Sequence, residues 1–198
     1  MIPADIARAL AEAGQRMDAR FWVPGSAGNL SARLSESHIA ITRSGVHKGR
    51  LVASDDIIAV DYAGRPVIDG QKPSAETLLH CQLYRLDASV GAVLHGHSVA
   101  ATVLSLSGPI VFSNYELVKA FGFNTHEHDI SLPVYENNQD TAQLTEQMEP
   151  DLKDGLPIGY VIAGHGVYAW GNDVEHAFWR LEALEFLLAC ELERRRMA

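Results

Sequence analysis

Residues 92–98 read Ala92-Val93-Leu94-His95-Gly96-His97-Ser98, an apolar run that closes on two histidines. A short apolar run bounded by turn-forming residues reads as a buried strand. On a strand the side chains alternate, so His95 and His97 face the same way. Two neutral imidazole nitrogens held side by side on a rigid strand suit a divalent metal of the zinc class. A polar strand end would carry the same pair, so the assignment needs support from elsewhere in the chain.

That support comes from Gly164-His165-Gly166, inside the stretch YVIAGHGVYAW (residues 160–170). The stretch reads as two apolar strands joined by a Gly-His-Gly turn, where absent side chains let backbone and metal approach closely. A catalytic zinc takes three protein ligands and keeps a fourth position open. His95, His97 and His165 would supply that set, for one zinc in each subunit. His126 and His128, in NTHEHD, repeat the spacing but lie in a polar loop without an apolar strand. They read as solvated side chains.

Other elements fall around this centre. An N-terminal helix begins near Pro3, with Ile6, Leu10, Met17 and Phe21 along one stripe. Short strands follow at HIAIT, IIAVD and RPVID. Ser74 is placed to cap a helix through ETLLHCQLYRL, and Ser98 one from Val99 to about Leu106. IVF and DISLPVY read as strands, Thr141 to Met148 as a polar helix. A long final helix is capped by Asn172 or Asp173 and shows Val174, Phe178, Leu181, Leu188 and Leu192 on its apolar face. This alternation predicts one α/β domain over residues 1–198, a sandwich with helices on the faces of a mainly antiparallel sheet.

Composition narrows the function. The 198 residues are 47% hydrophobic and 21% charged, ordinary globular values. A net charge of −9 argues against nucleic-acid binding. No apolar run is long enough to span a bilayer, and the N-terminal stretch lacks a secretory design. Cys81 and Cys190 sit in apolar helical contexts and read as reduced residues of a cytoplasmic enzyme. Neither a dinucleotide or phosphate-binding glycine fingerprint nor a serine-hydrolase elbow occurs.

Two carboxylates and three turns remain as candidates. Glu76 lies at a predicted helix start, where a dipole contact would account for it equally well. Glu116 lies in the apolar context SNYELVKAF, where a carboxylate is costly unless paired or used. Partial burial would raise its pKa toward that of a general acid/base. Gly28-Asn29-Leu30-Ser31, Thr42-Arg43-Ser44-Gly45 with Lys48, and Lys72-Pro73-Ser74-Ala75 each offer donors suited to phosphate. Asn29, Ser44, Gly45, Lys48 and Ser74, with Glu76, are thus the expected contacts to a phosphorylated substrate.

Taken in order, GNLS, ITRSGVHKG, KPSAETLLH, LHGHS, NYELVKAFG and GYVIAGHGVYAWG resemble the class II aldolase/adducin-like family, from about residue 20 to the C-terminus. The resemblance implies a three-layer α/β/α sandwich and a homotetramer with active sites between subunits. It also implies zinc on the residues matching His95, His97 and His165, and a small phosphorylated ketose as substrate. NYELVKAFG points to a dehydratase branch, in which the acid/base glutamate matches Glu116. In the sugar-phosphate aldolases the metal-proximal glutamate matches Glu76 instead, and this chain carries both. Arg43 departs from the proline expected before Ser44-Gly45. An aldolase or epimerase, or a non-catalytic adducin-like scaffold, are the alternatives.

Overall fold

A computed structural model describes residues 2–198. Its α-helices are α1 (Ala4–Asp18), α2 (Thr77–Leu86), α3 (Val99–Leu104), α4 (Thr141–Leu152) and α5 (Val174–Met197). The strands are β1 (Asn29–Arg33), β2 (His38–Thr42), β3 (Ile57–Asp61), β4 (Ala92–Gly96), β5 (Ile110–Phe112), β6 (Ile130–Leu132), β7 (Val134–Tyr135), β8 (Tyr160–Ile162) and β9 (Gly166–Gly171). Seven strands form one sheet in the order β3-β2-β1-β4-β9-β8-β7, while β5 and β6 pair separately. All neighbours in the large sheet run antiparallel except β7 and β8.

Alternation along the strands sorts side chains into two layers. Leu30, Ala92, Leu94, Val167 and Ala169 pack with residues of α1, α3 and α5. Ile39, Ile41, Val93, Tyr168 and Trp170 pack on the other side with α2 and α4. The result is the expected three-layer sandwich. Among the described residues, no helix is long and apolar enough to cross a membrane. Cys81 is buried, Cys190 partly so, and both are free.

Several local expectations are corrected. Phe21 lies past the end of α1 with φ of 58° and is 85% exposed, so it leaves the apolar stripe. RPVID makes a single bridge, Pro66 to Val60, because its two apolar side chains, Val67 and Ile68, have no layer to cover them and stay exposed. DISLPVY splits at Pro133, which has no N–H for a ladder: β6 pairs with β5, and β7 with β8. Ser74 does not cap α2; Glu76 takes that position, and the Ser74 carbonyl instead accepts from Thr77 N and Oγ1. α3 stops at Leu104. Ser98 does cap α3 through Ala101 N, and Asp173 caps α5 through His176 N.

Glu185, on the inner face of α5, is 4% exposed and faces the Ser98 hydroxyl. Burial pushes its carboxyl up to about 7 despite that hydroxyl. A raised folded-state pKa means the native state holds the proton longer than the unfolded chain, so stability falls as pH rises from the unfolded value toward 7. Glu185→Gln removes that loss. Its thermal stability relative to wild type is expected to improve by about 2–3 kcal/mol between pH 5 and 8. Parallel melting curves at the two pH values would refute this if the offset stayed constant.

Candidate metal centre

The register of β4 against β9 assembles the site. His95 pairs with Tyr168 and Gly96 with Val167, so the residues just beyond, His97 and His165, meet where the strands end. The ring centroids of His95, His97 and His165 lie 4.6, 4.5 and 5.1 Å apart. One nitrogen from each falls within 4.8 Å of the other two. A Cβ at Gly166 would stand 2.9 Å from the His95 ring and collide with the Gly96 carbonyl, so only glycine admits this approach.

The donor chemistry fits a cation. His95 Nδ1 donates to the Val167 carbonyl at 3.0 Å, which leaves Nε2 with its lone pair. That Nε2 is buried and has no hydrogen-bond partner among the described residues, and the same is true of His165 Nδ1. Burial, only partly offset by Glu76, pulls the His95 pKa down to about 4. Burial and the neighbouring imidazoles pull His97 to about 3. Converging imidazoles with an orphaned nitrogen are what a divalent ion requires.

Glu76 sits against the trio. Its Oε1 lies 2.9 Å from His165 Nε2 and its Oε2 3.3 Å from His95 Nε2. Asn29 Nδ2 donates to Oε2 at 2.6 Å and the Tyr168 hydroxyl at 3.0 Å. Burial opposes ionisation, but His95, His165 and Asn29 outweigh it and hold the carboxyl well below the usual range. Tyr168 in turn stacks on the His95 ring at 4.0 Å and on Tyr160 at 4.7 Å, a column that fixes the ring plane.

The three polar turns converge on the same cleft, of about 290 Å³, lined by Asn29, Ser44, Gly45, Lys48, Ser74, Glu76, His97 and His165 among others. Ser44 N donates to the Lys72 carbonyl and Ser74 N to the Thr42 carbonyl, tying two turns together. Lys48 is 2% exposed, with Nζ 2.7 Å from the carbonyls of both Ser26 and Val46. Burial lowers its pKa to about 8 although Glu76 opposes the shift. Ser31 does not face the cleft: it is fully buried against His80 and Tyr84.

Glu116 is absent from this cleft. It opens a 3-10 turn, Glu116–Phe121, and its side chain is 72% exposed beside Lys119 at 2.6 Å and His126 at 3.6 Å. The expected partial burial fails because a 3-10 turn repeats every three residues. Glu116 and Lys119 therefore share the outer side while Val118 is buried. The pair depresses the Glu116 pKa, through the Lys119 hydrogen bond first, rather than raising it. An open groove formed with Trp179, Ala183 and Phe186 lies beside it. His126 and His128 are exposed, apart from the trio.

Sequence reasoning missed Tyr168, His80 and the polar segment Asn137–Gln139, which borders Glu76 and His165 from the α4 side. Glu76, His80 and Tyr84 recur at every fourth position of an apolar stretch, and that stripe was the available signal.

Comparison with known proteins agrees with this architecture. The family described as Class II Aldolase and Adducin N-terminal domain matches residues 8–192. A methylthioribulose-1-phosphate dehydratase from Acidiphilium cryptum is 61% identical, covering 98% of this chain and 93% of its own. One from Granulibacter bethesdensis is 59% identical, covering 93% and 90%. In fold, an L-fuculose-1-phosphate aldolase from Thermus thermophilus superposes with a TM-score of 0.79 at 23% identity, over 98% of this chain and 96% of that one. The chain belongs to the class II aldolase and adducin N-terminal domain family.

Proposed function

We propose that this chain is a methylthioribulose-1-phosphate dehydratase, a lyase of methionine salvage. Its near-full-length identity to dehydratases of that name carries the reading. The substrate is a phosphorylated ketose with its carbonyl at carbon 2. Loss of the carbon 3 proton and the carbon 4 hydroxyl releases water and leaves an enol, which tautomerises to the 2,3-diketone phosphate.

His95, His97 and His165 would hold one divalent cation, for which zinc is our assignment. Bound there, it supplies Lewis acidity that makes the proton beside the carbonyl removable. The chain's own groups do the rest. Asn29, Ser44, Gly45, Lys48 and Ser74 take the phosphate, since they line one cleft with the histidines and Lys48 brings a positive charge. Glu76 remains ionised and oriented at the same cleft.

Glu116 is the acid/base. Its exposure and its place outside its own subunit's cleft are explained if it enters the cleft of a neighbouring copy. Trp179 and Phe186, 53% and 58% exposed on the adjoining surface, would be covered by that contact. We assign a homotetramer with sites at the interfaces, in the cytoplasm. The alternative, a sugar-phosphate aldolase, is favoured by one observation: Glu76 rather than Glu116 adjoins the histidines.

Purified enzyme should form diketone from methylthioribulose 1-phosphate and release no aldehyde from fuculose 1-phosphate; the reverse pattern makes it an aldolase. Glu116→Gln should keep fold and metal but lose roughly 10²–10⁴-fold in turnover, and near-normal turnover would remove Glu116 from this role. His97→Ala should abolish both activity and stoichiometric metal by elemental analysis, and full retention of metal would dismiss the three-histidine site. Mixed oligomers of Glu116→Gln and His97→Ala subunits should regain activity, because some interfaces then carry one intact set. No recovery means both groups act within one subunit.

A further inference from the structure

Beneath Glu76 runs a buried chain of polar side chains. The Asn29 amide gives Nδ2 to Glu76 Oε2 at 2.6 Å, and its Oδ1 meets His80 Nε2. His80 Nδ1 lies 2.7 Å from Ser31 Oγ, which lies 2.8 Å from the Tyr84 hydroxyl. Ser31 and His80 are fully buried, and Asn29 and Tyr84 nearly so.

The direction of every bond in this chain follows from its upper end. Asn29 turns its NH2 toward Glu76 Oε2 and its carbonyl toward His80. A carbonyl only accepts, so the His80 proton is on Nε2. A neutral imidazole then has a bare Nδ1, which accepts from the Ser31 hydroxyl. Ser31 Oγ in turn accepts from Tyr84. Burial, against the pull of Glu76, holds the His80 pKa at about 4, so the ring is neutral as this pattern demands.

We propose that His80 is a positioning residue: its Nε2–H locks the Asn29 amide in the one orientation that donates to Glu76. Asn29 and Tyr168 then hold Oε2, and Oε1 stays directed at His165. With the amide reversed, its carbonyl would oppose the carboxylate, two acceptors facing each other in a dry site, which is costly. The role of the chain in turnover rests on the reaction proposed above; its proton pattern does not.

Two measurements test it. Nitrogen-15 histidine spectra of the wild-type protein should show His80 neutral and protonated at Nε2. An Nδ1–H tautomer or a charged ring at neutral pH overturns the proposal, and this reading needs no substrate, so it holds or fails independently of the reaction. In kinetics, His80→Leu should lower kcat by about 10- to 100-fold with KM and metal content nearly unchanged. His80→Gln, whose amide can donate to Asn29, should recover most of the loss. Adding His80→Leu to Asn29→Ala should cost nothing further, since His80 acts through Asn29. An unchanged kcat in His80→Leu, no rescue by glutamine, or additive losses would each refute the role, and if the leucine variant does not fold, the tautomer and the glutamine variant still decide.

Discussion

The pairing of β4 with β9 is the constraint on which the rest depends. It sets His95 opposite Tyr168, and the rest of the centre follows from that single register. A slip of one residue would turn every side chain of a strand to the opposite layer. His95 would then face the α1/α3/α5 layer, away from Glu76. The pairing is secured from the far side of the sheet, where Leu94, Val167 and Ala169 share an apolar cluster with Phe178, Leu181 and Leu188 of α5. Apolar packing on one face thus holds polar chemistry on the other.

That chemistry is organised around one negative charge. Glu76 is ionised among imidazoles and donors, and each donor is anchored in a different element: Asn29 in β1, Tyr168 in β9, His165 in the turn before it. Buried charge without such partners would be lost to protonation. Here the donors keep it charged and fix its direction, and Lys48, itself buried, brings an amine to the same cleft.

Much of this was legible in the chain, and the exceptions have physical causes. His95, His97 and His165 could be read because each lies in a local signature, a strand end or a glycine-flanked turn. The three polar turns could be read as turns, though their convergence depends on contacts such as Ser44 to Lys72 that no local pattern reveals. Only the burial expected of Glu116 fails: its neighbours are apolar, but the 3-10 geometry turns it outward. His80 was hidden because an apolar helix with one histidine looks like core; only the four-residue spacing to Glu76 and Tyr84 marks it. DISLPVY looked continuous because alternation cannot show that a proline hands the chain from one sheet to another.

The centre draws on segments spread from Asn29 to Tyr168, with none of its three imidazoles complete as a set before the turn at His165. During synthesis the first two histidines emerge well ahead of the third. β4 can pair with β1, made before it, but its other neighbour, β9, follows only after His165. The three imidazoles therefore come together only once β9 has closed on β4, late in the assembly of the sheet.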